Sequence, residues 1–313
     1  MSIASSCEHV ADALYFLLRE HERCILLIDQ YGGNPLQEAL DALDVPAATA
    51  PLNDPIFKDD LSRAPLLVEL LHREAAHHAL LQRSLALALE QGGNLGGMYP
   101  VCAWLLTDAP LAKLQRQLTS RLDLRHADGQ QVYLRYFDPR VLPRLLDILA
   151  PGPELPAGLL GDVSIWCQLD RNRSLLQHQF TGPTDSTVLA GRWRVDVKQG
   201  AAIDRIAGVN LALRSLARAG CIAPRTHEAA IDALLARSAQ YGLQDAEDQT
   251  AFAWRAYLYG ERFTTLPMLE QWIATALGEG IPLESMFEEQ LGNEGADEHA
   301  PGQAPYSEVS WTD

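Results

Sequence analysis

The chain has 313 residues, 47% of them hydrophobic and 21% charged, with a formal net charge of −16. That length accommodates two domains of ordinary size and that composition a buried core. The charge argues against a general nucleic-acid or membrane-surface binder, because phosphate binding needs clustered Lys and Arg.

Taken in chain order, residues 8–20 place Val10, Ala13, Leu14, Leu17 and Leu18 on one helical face. CILLIDQY (24–31) is an apolar run of strand length, ended by Gly32 and Gly33, and such runs suit a strand buried on both faces. Asn34-Pro35 restarts the chain as a short helix through Leu43, and three prolines make 45–60 a loop. APLLVELL (64–71) reads as a strand, 73–90 as a long Ala/Leu-rich helix, PVCAWLLTD (100–108) as a strand, and Pro110 opens a helix through Arg121. Residues 122–138 have the pattern of a hairpin turning at Asp128-Gly129. The second strand, ending in YLRYF, then runs into a helix, with Asp138 at the N-cap, Pro139 at the first helical position and Val141, Leu142, Leu145, Leu146 and Leu149 as its apolar stripe. A further hairpin spans 161–180 across Asp170-Arg171-Asn172.

Beyond the turn-rich stretch 182–193 the chain changes character, with helices expected at 199–219, 224–240, 245–259 and 265–278. The expected fold is therefore α/β: a mixed sheet with flanking helices in an N-terminal domain (1–181), followed by a smaller all-helical domain (182–290). No Lys or Arg follows Arg262, and residues 291–313 have the composition of a disordered acidic tail.

No catalytic constellation emerges. The five cysteines show no CxxC spacing, and Cys24, Cys102 and Cys167 fall in apolar strands where a thiol behaves as a small hydrophobe. Cys221 has His227 as its nearest candidate partner, which is too little for a cysteine nucleophile. His72, His77 and His78 in HREAAHH lack the HExxH spacing, and QGGNLGG (91–97) matches no phosphate loop, so neither a metal nor a cofactor is expected. Phe252, Trp254, Tyr257, Tyr259 and Phe263 are dense enough for a binding surface, although Phe252 and Tyr259 share a face suited to a helical core. The N-terminus lacks a signal-peptide pattern and no apolar run is long enough to span a bilayer, so a cytoplasmic location is expected. Arg135 and Arg140 bracket the capped turn at 138–139, and the local pattern gives no reason for both.

The block RYFDPRVLPRLL resembles the adaptor-chaperone family that loads toxic effectors onto the bacterial type VI secretion spike. The approach AWLLTDAPLAKLQRQLTSRLDLRHADGQQVYLRYFDPRVL is similar in its strand–helix–hairpin–helix order, as are the LLIDQY and APLLVEL strands and the helix between Arg73 and Glu90. Residues 241–273 resemble the helical segment behind that domain. The resemblance implies a non-enzymatic cytoplasmic protein whose partners are a cognate secreted effector and the VgrG spike protein, not nucleic acid or membrane. Arg135, Tyr136, Asp138, Pro139 and Arg140 carry its signature, as partner-binding residues or as scaffold. The alternative is an enzyme working in a cleft between the two domains, with Asp29 and Asp108, each closing a strand-like run, as a carboxylate pair.

Overall fold

A computed structural model of the chain describes residues 10–17, 21–91, 97–152, 154–182 and 193–292, in two compact units, Met1–Gly200 and Ala201–Asp313. The first unit is built on β1 (Arg23–Ile28), which is buried from Cys24 onward. A strand of Cys, Ile and Leu has no polar face to give to water, so it is stable only when covered on both sides. Its neighbours β3 (Leu66–Leu71) and β4 (Val101–Leu106) both run antiparallel to it. They are therefore parallel to each other, with β1 between them and helix α3 (Ala75–Gln91) as the crossover; the short helix expected after Asn34-Pro35 is α2 (Gln37–Asp41).

The full sheet has the order β2-β3-β1-β4-β8-β9-β7. Here β2 is Thr49–Pro51, β7 Leu155–Pro156, β8 Ile165–Leu169 and β9 Leu175–Gly182. Among the described residues of this sheet only the β7–β9 pairing is parallel, so the sheet is mixed, as the sequence indicates. On one face Leu26, Ile28, Val68, Leu70 and Trp104 pack against Leu80, Leu81 and Leu85 of α3 and against Val10 and Leu14 of the helix at 10–17, called α1. Trp104 Nε1 donates to Ser84 Oγ at 3.0 Å, which satisfies the indole within this core. The strands' alternation turns Ile25, Leu27, Ala103, Leu105 and Trp166 to the other face. The ring of Tyr136 lies 6.1 Å from that of Trp166 there.

Between α4 (Leu111–Ser120) and α5 (Leu142–Leu149) lies the hairpin of β5 (Asp123–Arg125) and β6 (Gln131–Tyr133). Its turn is the one expected: Gly129 has φ 90° and Asp128 Oδ1 accepts from the Gln130 amide. β10 (Trp193–Arg194) adds to β5 in parallel, a strand the turn-rich sequence around it concealed. The expected strand through Phe137 stops at Tyr133 instead. Residues 136–140 form a turn, with Tyr136 and Phe137 both fully buried.

In the second unit the expected helix at 199–219 is two helices, α6 (Val197–Asp204), which spans the division between the units, and α7 (Ile206–Arg218). α8 (Glu228–Ser238), α9 (Ala246–Tyr259) and α11 (Leu269–Glu279) correspond to the other three, and α10 (Glu261–Thr264) is a single turn. Asp245 caps α9 by accepting from the Glu247 and Asp248 amides. Phe252 is buried in this core, whereas Tyr259, expected on the same face, is exposed. α12 (Leu283–Gly292) was hidden by its acidic residues. It is bound to α9 by the Arg255–Glu284 ion pair and by the Leu283 amide donating to Asp248 Oδ1 at 2.9 Å. The acidic tail after 292, the turn-rich stretch 183–192 and residues 92–96 of QGGNLGG lie outside the described residues. Among the described residues no helix is long and apolar enough to cross a membrane.

Candidate functional site

Because β1 is antiparallel to both neighbours, its C-terminal end meets the starts of β3 and β4. The Asp29 amide donates to the Pro100 carbonyl at 2.8 Å, fixing the first residue past β1 beside the residue that precedes β4. The Asp29 side chain is 5% exposed. Its Oδ1 accepts from the Tyr31 amide at 3.1 Å, and its Oδ2 takes an N–H of Arg135. Burying a carboxylate is costly unless a cation and hydrogen bonds meet it, and Arg135 supplies both. The Arg135 guanidinium also lies 5.7 Å from the Phe137 ring centroid, and its side chain remains 41% exposed.

The second pair sits in the turn itself. Asp138 Oδ1 accepts from the Arg140 amide and from Arg140 Nε, both at 2.9 Å, and Oδ2 accepts from an Arg140 terminal nitrogen at 2.7 Å. The carboxylate thus closes an Asx turn and a forked ion pair at once. This corrects the expected helix start. α5 begins at Leu142 after Val141, with Pro143 in its first turn, and Asp138 is not its side-chain cap. Two prolines four residues apart each suit a first helical turn; the chain uses the second, and Pro139 stays in the preceding turn. The Asp138 carbonyl still accepts from Val141 and Leu142, so the turn leads directly into the helix.

Two further contacts lock the turn in place, one to strand β8 and one to helix α4. Buried Gln168 of β8 accepts from Trp166 Nε1 at 2.9 Å and donates to the Pro139 carbonyl at 3.0 Å. Tyr136, fully buried, donates to the Leu118 carbonyl at 3.0 Å. Of the five signature residues, Tyr136, Asp138 and Pro139 are therefore interior, and only Arg135 and Arg140 reach the surface in part. Arg140 also donates to the Gly97 carbonyl at 3.2 Å and lies 4.9 Å from the Tyr99 ring centroid. Cys102 is buried at the start of β4; burial, then the charges of Asp29 and Asp138, push its thiol well above the ordinary range. It is a packed neutral thiol, not a nucleophile.

Sequence reasoning missed Asp29 as the partner of Arg135, as well as Gln168 and Tyr99. Gln168 left one signal, a lone amide in the apolar strand IWCQL. The carboxylate pair imagined for an enzyme does not form. Asp29 lies beside the start of β4 and exposed Asp108 follows its end, so the two are separated by about 25 Å of strand. His77 is structural: its Nδ1 accepts from the Leu71 amide at 3.1 Å, which leaves Nε2 to donate to the Val45 carbonyl at 2.9 Å. His227 Nδ1 is 2.6 Å from the Tyr257 hydroxyl, and burial raises the Cys221 thiol.

Residues 24–153 match the model of a family described as a domain of unknown function, DUF4123. No curated protein and no solved structure matches the chain. The DUF4123 match begins on β1 and ends after α5, so it contains Asp29, Tyr99, Arg135, Asp138 and Arg140 with both ion pairs. The β8–β9 hairpin that supplies Gln168 lies outside the DUF4123 match.

Proposed function

We propose that this chain is a non-enzymatic adaptor-chaperone of a type VI secretion system. It binds a secreted effector in the cytoplasm of the producing cell and promotes its loading onto the VgrG spike protein. The observation that carries the reading is the DUF4123 match over 24–153, a domain associated with type VI secretion adaptors, together with the RYFDPR block inside it. The geometry of that block supports use as a scaffold: each of its arginines is engaged by a carboxylate of the fold, and the turn is held to β8 through Gln168. The competing enzymatic reading required Asp29 and Asp108 together, and they stand at opposite ends of β4.

Deleting the gene in a producing cell tests the proposal. Delivery of the cognate effector should be lost and then restored by the complementing gene, while delivery of unrelated effectors continues. Undiminished delivery of every effector in the deletion strain would refute it.

A further inference from the structure

On a chain of net charge −16, one end of the large sheet gathers arginines. Arg135 and Arg140 stand there on their buried carboxylates, and Arg63, paired with Asp60 at 3.2 Å, lies 5.4 Å from the centroid of the exposed Tyr31 ring. The tip of the β8–β9 hairpin reaches the same end, because β8 runs antiparallel to β4, and it brings Arg171 and Arg173. Arg173 has φ 63°, in the left-handed position that three-residue hairpin loops usually give to Gly. A side chain held there carries a local conformational cost that Gly would remove, so the loop's preference alone does not account for an arginine.

Among these arginines is Tyr99, only 8% exposed, whose hydroxyl has no hydrogen-bond partner among the described residues. A buried hydroxyl without a partner is rare, and it points to an acceptor that arrives from outside. Burial raises the Tyr99 pKa; Arg140 opposes that rise, the Asp138 carboxylate adds to it, and Arg171 and Arg173 are near enough to oppose it as well. The hydroxyl thus stays protonated and able to donate. Beside it, Met98 packs over Gly32 and is itself 44% exposed, and Tyr31 is 56% exposed, so apolar surface borders the cationic end.

We infer that this end of the sheet docks an acidic, apolar-flanked segment of a partner polypeptide. One of its carboxylates is seated on the Tyr99 hydroxyl among Arg140, Arg171 and Arg173, and its apolar residues lie on Tyr31 and Met98. The inference rests on the proposed adaptor function in taking the partner to be a protein. Charge selects the place: an acidic segment is repelled by most of this surface and attracted here, which orients the encounter. Guanidiniums already held by Asp29 and Asp138 are pre-organised, so less side-chain freedom is lost on binding.

The full chain is titrated against a short fluorescein-labelled peptide alternating Glu and Leu, with its Gln/Leu counterpart as control, and fluorescence anisotropy is read. The Glu peptide should bind about tenfold or more tightly, as expected for one or two charged hydrogen bonds. Arg171→Ala/Arg173→Ala should abolish that preference. Tyr99→Phe keeps the volume and removes only the orphan hydroxyl, so it should weaken the Glu peptide about fivefold to tenfold while leaving the melting temperature unchanged or raised. Should the arginine double variant misfold, Tyr99→Phe alone decides.

Equal affinity for the Glu and Gln peptides, or unchanged affinity in Tyr99→Phe, overturns the inference. Displacement of the Glu peptide by equimolar inorganic phosphate also overturns it, in favour of a small-anion site. The adaptor reading fails separately: if wild-type chain co-purifies with neither the effector nor the spike, that reading falls and the peptide titration still decides this one. If Tyr99→Phe co-purifies with them as fully as wild type, the docking surface falls and the adaptor stands.

Discussion

Replacing Asp138 with Ala removes three acceptor contacts at once: one from the Arg140 amide and two from its guanidinium. Breaking a buried pair from one side costs about 3–5 kcal/mol, because the remaining charge is left without compensation. Here the Arg140 side chain is 22% exposed and keeps the Gly97 carbonyl and the Tyr99 ring, so the figure is discounted to about 2–4 kcal/mol. For a unit of this size that lowers the melting temperature by roughly 5–12 °C. Asp138→Asn retains an oxygen for the Arg140 amide and loses only the charge, so it should cost about half as much. Urea unfolding read by hydrogen exchange at the Val141 and Leu142 amides, both bonded to the Asp138 carbonyl, reports the joint itself. A stability within about 0.5 kcal/mol of wild type would refute the reasoning, since it would make the forked pair energetically silent.

Arg135→Ala leaves Asp29, 5% exposed, without its cation; the guanidinium removed is 41% exposed, so a discounted loss of about 2 kcal/mol is expected by calorimetry. In the second unit, Glu284→Ala strands buried Arg255 and frees Trp254 Nε1; about 2 kcal/mol should be lost, and α12 amides should exchange faster than those of α9. Burial pushes the Cys24 and Cys167 thiols up to about 12. The folded chain therefore holds protons that unfolded thiols release. That stabilisation is complete below about pH 8.5 and is lost as the pH rises toward 12, at about 1.4 kcal/mol per thiol per pH unit. Chemical denaturation across this range should show the fall. At neutral pH iodoacetamide should label Cys221 ahead of Cys24, Cys102 and Cys167, as mass spectrometry of the native chain can read.

The strands of the first unit were legible because runs such as CILLI and VCAWLL have no polar face, and their burial on both sides follows from composition alone. Their directions were not. A β-α succession suggests parallel neighbours, and only the pairing of β1 with both β3 and β4 shows that Asp29 and Asp108 face opposite ends. The RYFDPR turn was legible as a junction but misplaced as a helix start, since Pro139 and Pro143 offer the same local signal and long-range burial of Tyr136 and Phe137 chooses between them. Arg135 needed a partner, and the one it has lies 106 residues away, beyond any local pattern. α12 escaped notice because Glu284, Glu288 and Glu289 outweigh Leu283, Met286 and Phe287 in composition, although those three bury the helix.

The claim that this chain is an adaptor is tested most directly by reconstitution. Full-length protein, cognate effector and VgrG are purified separately, mixed in pairs and all together, and resolved by size-exclusion chromatography with light scattering. A complex of this chain with the effector is expected, and more effector on the spike in its presence than without it. An effector that binds the spike equally well alone, with this chain eluting apart from both, would contradict the claim.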